Sequence, residues 1–123
     1  MKINKLIVAL CAAALAAGDA LAAGAPVKPM DGVLVGAKGM TLYTFDKDAG
    51  GKSACNGPCA GNWPPLMAAA SDAASGDFSI ITRDDGSKQW AQKGKPLYYW
   101  VKDAKPGDKT GDGFNNVWHV AKP

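Results

Sequence analysis

Apolar and polar residues alternate over residues 40–47 with the period of two that marks a strand, Tyr43 and Phe45 on one face and Leu42 and Thr44 on the other. A shorter apolar run at 33–36 precedes it, and the turn residues Asp31-Gly32 and Ala37-Lys38-Gly39 bound that run on either side. Upstream, residues 23–30 carry Pro26 and Pro29 and read as an extended lead-in. The polar, Gly-rich stretch 48–62 is a loop, and Trp63-Pro64-Pro65-Leu66 closes the unit. The same order then recurs. Phe78, Ile80 and Ile81 mark a strand at 77–82, and Asp84-Asp85-Gly86 is a hairpin signal. Strands at 88–92 and 96–102 flank the turn Lys93-Gly94. A loop at 103–113 leads to a closing strand at 117–121. Between the units, 67–76 is small and Ala-rich, a short helix or a linker.

The recurrence is literal. Lys38-Gly39-Met40-Thr41-Leu42-Tyr43-Thr44-Phe45-Asp46-Lys47-Asp48-Ala49 returns 55 residues later as Lys93-Gly94-Lys95-Pro96-Leu97-Tyr98-Tyr99-Trp100-Val101-Lys102-Asp103-Ala104. Seven of the twelve positions are identical, Phe45 becomes Trp100, and the offset extends to place Trp63 opposite Trp118. A repeat of this length is one supersecondary unit that cannot bury its aromatic face alone. The expected fold is all-β: a small single domain over 23–123, built of two tandem units at about 33–66 and 88–121. Its core candidates are Tyr43, Phe45, Trp63, Tyr98, Trp100 and Trp118.

Composition agrees with strands and turns. Among 123 residues there are 15 Gly and 8 Pro, and every one of the 11 acidic residues is Asp. These are turn and cap residues that disfavour helix interiors. The formal charge of +3 falls near +2 once the first segment is removed, with acids and bases interleaved. No basic stripe of the kind that phosphate backbones require is present, so nucleic acid is not an expected partner.

The first 22 residues read as an export signal. Lys2 and Lys5 precede an apolar run at 6–17 that is too short to span a bilayer, and Ala20-Leu21-Ala22 supplies a small-x-small cleavage pattern. Cys11 is not a lipid-attachment site, because Leu10 precedes it and it sits midway through the run. No other apolar stretch approaches the ~20 residues of a spanning helix. The expectation is a periplasmic or secreted protein without a lipid anchor.

Export leaves two cysteines, Cys55 and Cys59, with the turn-forming Asn56-Gly57-Pro58 between them. A disulfide clamping the loop is the simplest reading. At the 55-residue offset the partners of this pair are Thr110 and Phe114, which marks a packing position rather than a redox one. The rival is a copper or haem site using Cys55, Cys59 and His119. His119 is the only histidine, which excludes any multi-histidine centre, and its counterpart is Pro64. A third reading is a calcium-stabilised structural module. Asp46, Asp48, Asp103, Asp108 and Asp112 lie near Gly turns, but they lack the spacing and the bidentate Glu of an EF-hand. Asp48 and Asp103 occupy one position in both copies and read as caps of the loop after each long strand. The Tyr and Trp residues also suit a sugar or haem platform, although aromatic residues at strand spacing usually form core. No phosphate cradle, activated serine or catalytic carboxylate pair is visible, so no enzymatic activity is expected.

The doubled Tyr-x-aromatic-x-x-Asp, here Tyr43-Phe45-Asp48 and Tyr98-Trp100-Asp103, resembles that of a family of bacterial predicted lipoproteins and secreted repeats of unknown function. The likeness extends to Cys55–Cys59, Trp63-Pro64-Pro65 and residues 113–118, and so covers almost all of the chain after the signal. It implies export and a repeated fold, and it implies no established activity. Many members look lipid-anchored, whereas this chain lacks a suitable cysteine. The combined expectation is an exported, non-enzymatic binding module. It would engage an envelope or extracellular protein, or a small ligand, through the loops 48–62 and 103–113.

Overall fold

The computed structural model describes residues 25–123; the export signal expected at 1–22 lies outside the described residues. Seven short strands and one helix follow in order: β1 (Lys28–Met30), β2 (Val33–Val35), β3 (Tyr43–Phe45), α1 (Pro58–Asn62), β4 (Phe78–Thr82), β5 (Lys88–Gln92), β6 (Lys95–Pro96) and β7 (Trp118–Val120). All strand pairs are antiparallel: β1 with β2, β3 with β7, and β4-β5-β6 in series. The chain is therefore an all-β domain with almost no helix. The Asp84-Asp85-Gly86 turn closes the β4–β5 hairpin, where Arg83 N–H donates to the Ser87 carbonyl and Gly86 takes φ 88°.

The two units do not pack side by side as finished pieces; they interlock. β3 of the first unit pairs with β7, the closing strand of the second, in the register Tyr43↔Val120, Thr44↔His119 and Phe45↔Trp118. Reciprocally, Tyr98 of the second unit bridges Pro65, and Tyr99 N–H donates to the Pro64 carbonyl at 2.7 Å. At the centre Tyr43 and Tyr98 exchange both backbone bonds, at 2.8 and 3.0 Å. Each unit thus completes the other's hydrogen bonding, which is why neither is expected to persist alone.

Around Tyr43 and Tyr98 both faces of the chain are buried. Tyr43, Tyr98 and Val120 join Val33, Val35, Cys55, Trp63, Trp100 and Trp118 in one core, with Phe45 packed at its edge. Their sequence neighbours Leu42, Leu97 and Ala121 join Leu34, Leu66 and Trp90 in a second core. The two faces predicted by alternation feed different cores: the expected aromatic set lies in the first and Leu42 in the second. Trp90, fully buried, was not among the core candidates, and its indole N–H has no partner within the described residues.

Three expectations are adjusted. The strands anticipated over 40–47 and 96–102 are regular only at Tyr43–Phe45 and Lys95–Pro96. Their remaining backbone groups are shared among several partners in isolated bridges. The loop 48–62 contains the one-turn helix α1, started by Pro58 at a position where its missing N–H costs nothing. The segment 67–76 is not helical. Met67 bridges Gln89, and Ala68 N–H donates to the Lys88 carbonyl, so its start serves as an extra edge to β5.

Candidate functional site: an aromatic stack held by crossed Tyr–Asp pairs

Interlocking the units brings their aromatic residues to one axis. Phe45 stacks on Trp118 at 4.1 Å, Trp118 on Trp63 at 3.8 Å and 2°, and Trp63 on Trp100 at 4.0 Å. The result is a four-ring ladder with the Trp63–Trp118 pair at its centre. Tyr43 meets Trp63 edge-on and Tyr98 meets Trp118 edge-on, at 5.3 and 5.1 Å. Such pairs contribute about 0.5–1.5 kcal/mol each beyond area burial. Gly111 lies against the stack: a Cβ there would meet Trp63 Cη2 at 2.7 Å and Trp100 at 3.0 Å. The inner indoles have ring neighbours on both faces, so they expose no platform on which a sugar or a haem could lie. What the ladder offers is its ends and edges.

The motif residues of the two copies are crossed. Tyr43 OH donates to Asp103 Oδ2 at 2.7 Å, and Tyr98 OH donates to Asp48 Oδ2 at 2.6 Å. Each tyrosine of one unit is therefore satisfied by the aspartate of the other. The second oxygen of each aspartate anchors its own loop, Asp48 through Ala54 N–H at 2.6 Å and Asp103 through Thr110 N–H and hydroxyl at 3.0 and 2.6 Å. The loop-holding role expected of Asp48 and Asp103 is thus only half of what they do. Burial, followed by the adjacent carboxylate, pushes both tyrosine hydroxyls well above their ordinary range. Burial also raises the Asp48 carboxyl, although Ala54 N–H, Tyr98 and Arg83 oppose it.

Arg83 is a central residue that the sequence did not flag. It is the only arginine in the chain and it is buried. Its Nη1 donates to Ser53 Oγ at 3.0 Å and Gln89 Oε1 at 2.8 Å, and its Nη2 donates to the Cys55 carbonyl at 2.7 Å and to Asn56 Oδ1 at 3.2 Å. Ser53 Oγ lies 2.6 Å from Tyr98 OH; since the tyrosine proton goes to Asp48, the serine proton points to the tyrosine oxygen. Gln89, buried in β5, also donates to the Leu97 carbonyl. The network ties β4 and β5 to the cysteine loop. Its only sequence trace was a single Arg after an apolar strand.

Cys55 and Cys59 form a disulfide; Cys55 is buried and Cys59 half-buried against the aromatic core. With both sulfurs in that bond, neither is a thiolate for copper in this state. The offset partner Phe114 is 40% exposed and rests on Trp63 and Trp100 at 5.8 and 5.0 Å, so it covers the stack rather than lying buried. The two loops do not align residue for residue: Asp48 anchors the sixth residue after it, Asp103 the seventh. His119 is exposed, its Nε2 2.8 Å from Asp46 Oδ2. Asp108 binds Ala104 N–H, Lys105 N–H and Lys105 Nζ, and the Lys105 contact holds its carboxyl low. Asp112 accepts from Val120 N–H. Among the described residues no three His, Cys or Asp side chains converge as a metal site. The five aspartates of the calcium reading are dispersed over separate hydrogen-bonding tasks.

Two grooves flank the stack between the loops. One, of about 550 Å³, is lined by Phe45, Lys47, Ala54, Cys59 and Val117 among others, and the second, of about 480 Å³, by Trp100, Lys102, Thr110, Phe114 and Asn62. Phe45, Lys47, Cys59 and Val117 of the first set have their repeat counterparts Trp100, Lys102, Phe114 and Asn62 in the second, and Asn62 and Phe114 line both grooves. Each has a terminal ring of the ladder beside a lysine.

A family model described as a secreted repeat of unknown function matches residues 25–67 and again residues 79–122. No curated protein and no solved structure matches the chain. Among the described residues no helix is long and apolar enough to cross a membrane.

Proposed function

The chain belongs to the family of secreted repeats of unknown function, and from that premise we propose that it is an exported, non-enzymatic binding module acting in the periplasm or outside the cell after cleavage behind Ala22. Its partner is an envelope or extracellular protein, taken up by the loops 48–62 and 103–113. The observation that carries this reading is the pair of related grooves, each with a terminal ring of the ladder beside a lysine. Because the inner ring faces are already covered, a flat sugar or a porphyrin gains little there. An apolar side chain inserted beside Phe114 or Phe45 gains more. Lys47 and Lys102 then favour a partner segment that carries a carboxylate next to that side chain. The disulfide and the Arg83 network hold the first loop in place before binding, which lowers the ordering cost of association.

Two measurements test this. Intact mass of the exported protein should match residues 23–123 less two hydrogens, with no thiol open to alkylation. Selection from a displayed peptide library should enrich segments pairing an apolar side chain with an acidic one, and Phe114→Ser or Lys102→Asp should weaken those peptides at least tenfold. Absence of enrichment, or indifference of the selected peptides to both substitutions, would remove this reading.

A further inference from the structure

A second pair of pockets lies away from the aromatic ladder, and here the two copies have diverged in chemistry. In the first unit a pocket of about 290 Å³ is lined by Ala37, Lys38, Met40 and Tyr99. Adding 55 to three of these numbers, and subtracting it from that of Tyr99, gives Gln92, Lys93, Lys95 and Thr44, which line a pocket of about 330 Å³ in the second unit. The turn beside each pocket is the same. Lys38-Gly39 and Lys93-Gly94 are both left-handed turns, with φ of 60° and 73° in the first and 51° and 82° in the second. The repeat therefore acts as its own control, because one backbone carries two sets of side chains.

In the first pocket the wall is apolar. Tyr99 spans it, accepting the Ala37 N–H at 3.0 Å, and its hydroxyl lies close against Gly36. In the second pocket Thr44 is too short to do this and the space stays open. Met40 is replaced by Lys95 and Ala37 by Gln92, while His119 and Lys122 stand at the repeat positions of Pro64 and Met67, which do not line the first pocket. Lys93, Lys95, Lys122 and His119 all line the second pocket, and all are exposed. The one carboxylate among its lining residues, Asp46, is already engaged by His119. No ion pair involves Lys93, Lys95 or Lys122 among the described residues. Since the fold tolerates Met at two of these positions in the other copy, their positive charge is not a requirement of folding.

We propose that the pocket formed by β3, β7 and the β5–β6 turn is an oxyanion site for a phosphate group. Three ammonium groups around one concavity repel one another, and an anion placed between them relieves that repulsion while gaining charge-assisted hydrogen bonds. The flexible lysine stems suit a multiply charged phosphate better than a planar carboxylate, which favours the fixed fork of arginine. At about 30 Å³ of liquid per water the pocket holds roughly ten waters, enough room for a phosphate carrying a substituent. The group therefore comes either as a free phosphate or as the headgroup of an anionic lipid.

The test is amide chemical-shift titration of the disulfide-intact protein with inorganic phosphate, against chloride at equal ionic strength. It is paired with sedimentation on phosphatidylglycerol or phosphatidylcholine vesicles. Phosphate should shift Lys93, Gly94, Lys95 and His119 saturably, and chloride should not. The double variant Lys95→Met with Lys122→Met restores the side chains of the other copy, and it should weaken binding at least tenfold with an unchanged melting temperature. The Lys95→Gln, Lys122→Gln pair serves if the first variant melts early. Binding of phosphate alone assigns a soluble ligand. Lysine-dependent binding to phosphatidylglycerol vesicles, without saturable shifts from free phosphate, assigns a lipid headgroup. No response to either probe, or a response that both double variants retain, overturns the site. Phe114→Ser should leave this binding intact, so the outcome is independent of the peptide grooves.

Discussion

Raising the pH above 10 should destabilise this protein through two named side chains. Tyr43 and Tyr98 are fully buried, and each donates its hydroxyl proton to a carboxylate of the other unit. Ionising either would place a phenolate against that carboxylate away from water, so both hydroxyls hold their protons well above the ordinary tyrosine range. In the unfolded chain the same groups ionise near pH 10. Between the unfolded and folded values the native state binds more protons, and stability falls as pH rises. Their stabilisation is thus complete below pH 10 and is lost progressively above it.

Each tyrosine contributes a slope of about 1.4 kcal/mol per pH unit, so the pair contributes about 2.7. From pH 10 to 11.5 the loss reaches about 4 kcal/mol, a large part of the 5–15 kcal/mol available to a typical domain. The assay is urea unfolding followed by tryptophan fluorescence at half-unit steps from pH 8 to 11.5, with tyrosinate absorbance recorded in parallel. Lysine deprotonation occurs in the same range, and substitution separates it from the tyrosine effect. Tyr43→Phe or Tyr98→Phe should each remove about 1.4 kcal/mol per pH unit of slope and lower stability at pH 7 by about 1.5–3 kcal/mol, the worth of a bond to a charged acceptor. Slopes in both variants equal to the parent's would refute the crossed pairing as the origin of alkaline sensitivity.

Reducing the Cys55–Cys59 bond should lower stability by about 2 kcal/mol, the chain-entropy figure for so short a ring, read as a shift in melting temperature with and without reductant. Arg83→Met should cost about 1–3 kcal/mol for each buried acceptor it leaves unpaired, read by urea unfolding, since it strips donors from Ser53, Gln89 and the Cys55 carbonyl; Arg83→Lys should rescue little, because one ammonium cannot reproduce the planar fork. Gly111→Ala should destabilise by about 1–3 kcal/mol and alter the near-ultraviolet circular dichroism of the tryptophans, because the added methyl enters the Trp63–Trp100 contact. In Asp48→Asn the pH dependence should change in one direction. The raised Asp48 carboxyl favours the folded state when protonated, so the parent should lose stability relative to the variant as pH rises above the ordinary carboxylate range.

The repeat made the architecture legible before any coordinates. It located the strands, the turns and the aromatic residues, because an internal copy marks which positions the backbone needs. It could not reveal exchange. Tyr43 bonded to Asp48 within one unit and Tyr43 bonded to Asp103 across units leave the same trace in the sequence, and only the pairing of β3 with β7 separates them. Local alternation separated the two faces of these strands but did not say what covers the second. Leu42, Leu97 and Trp90 needed the second core to explain them. Arg83 was illegible for another reason. A buried arginine is recognised by its acceptors, and those come from Ser53, Cys55, Asn56 and Gln89, which no local pattern links.

That crossing bears on where function is to be sought. The Tyr-x-aromatic-x-x-Asp motif is the part of the chain that repeats best, and structurally it is consumed: its tyrosines are buried donors, its aromatic residues form a ladder, its aspartates pin loops. A motif retained in both copies because both sides of one joint require it carries no information about a ligand. Positions where the scaffold is kept but the side chain is not are the informative ones. Met40 against Lys95, Pro64 against His119 and Met67 against Lys122 sit on equivalent backbone with opposite chemistry. If binding follows divergence, substitutions that make the second copy resemble the first should abolish phosphate binding without loss of fold. Substitutions at the shared motif should instead cost stability first. Measuring both sets of variants for melting temperature and for phosphate response separates the two kinds of position within one protein.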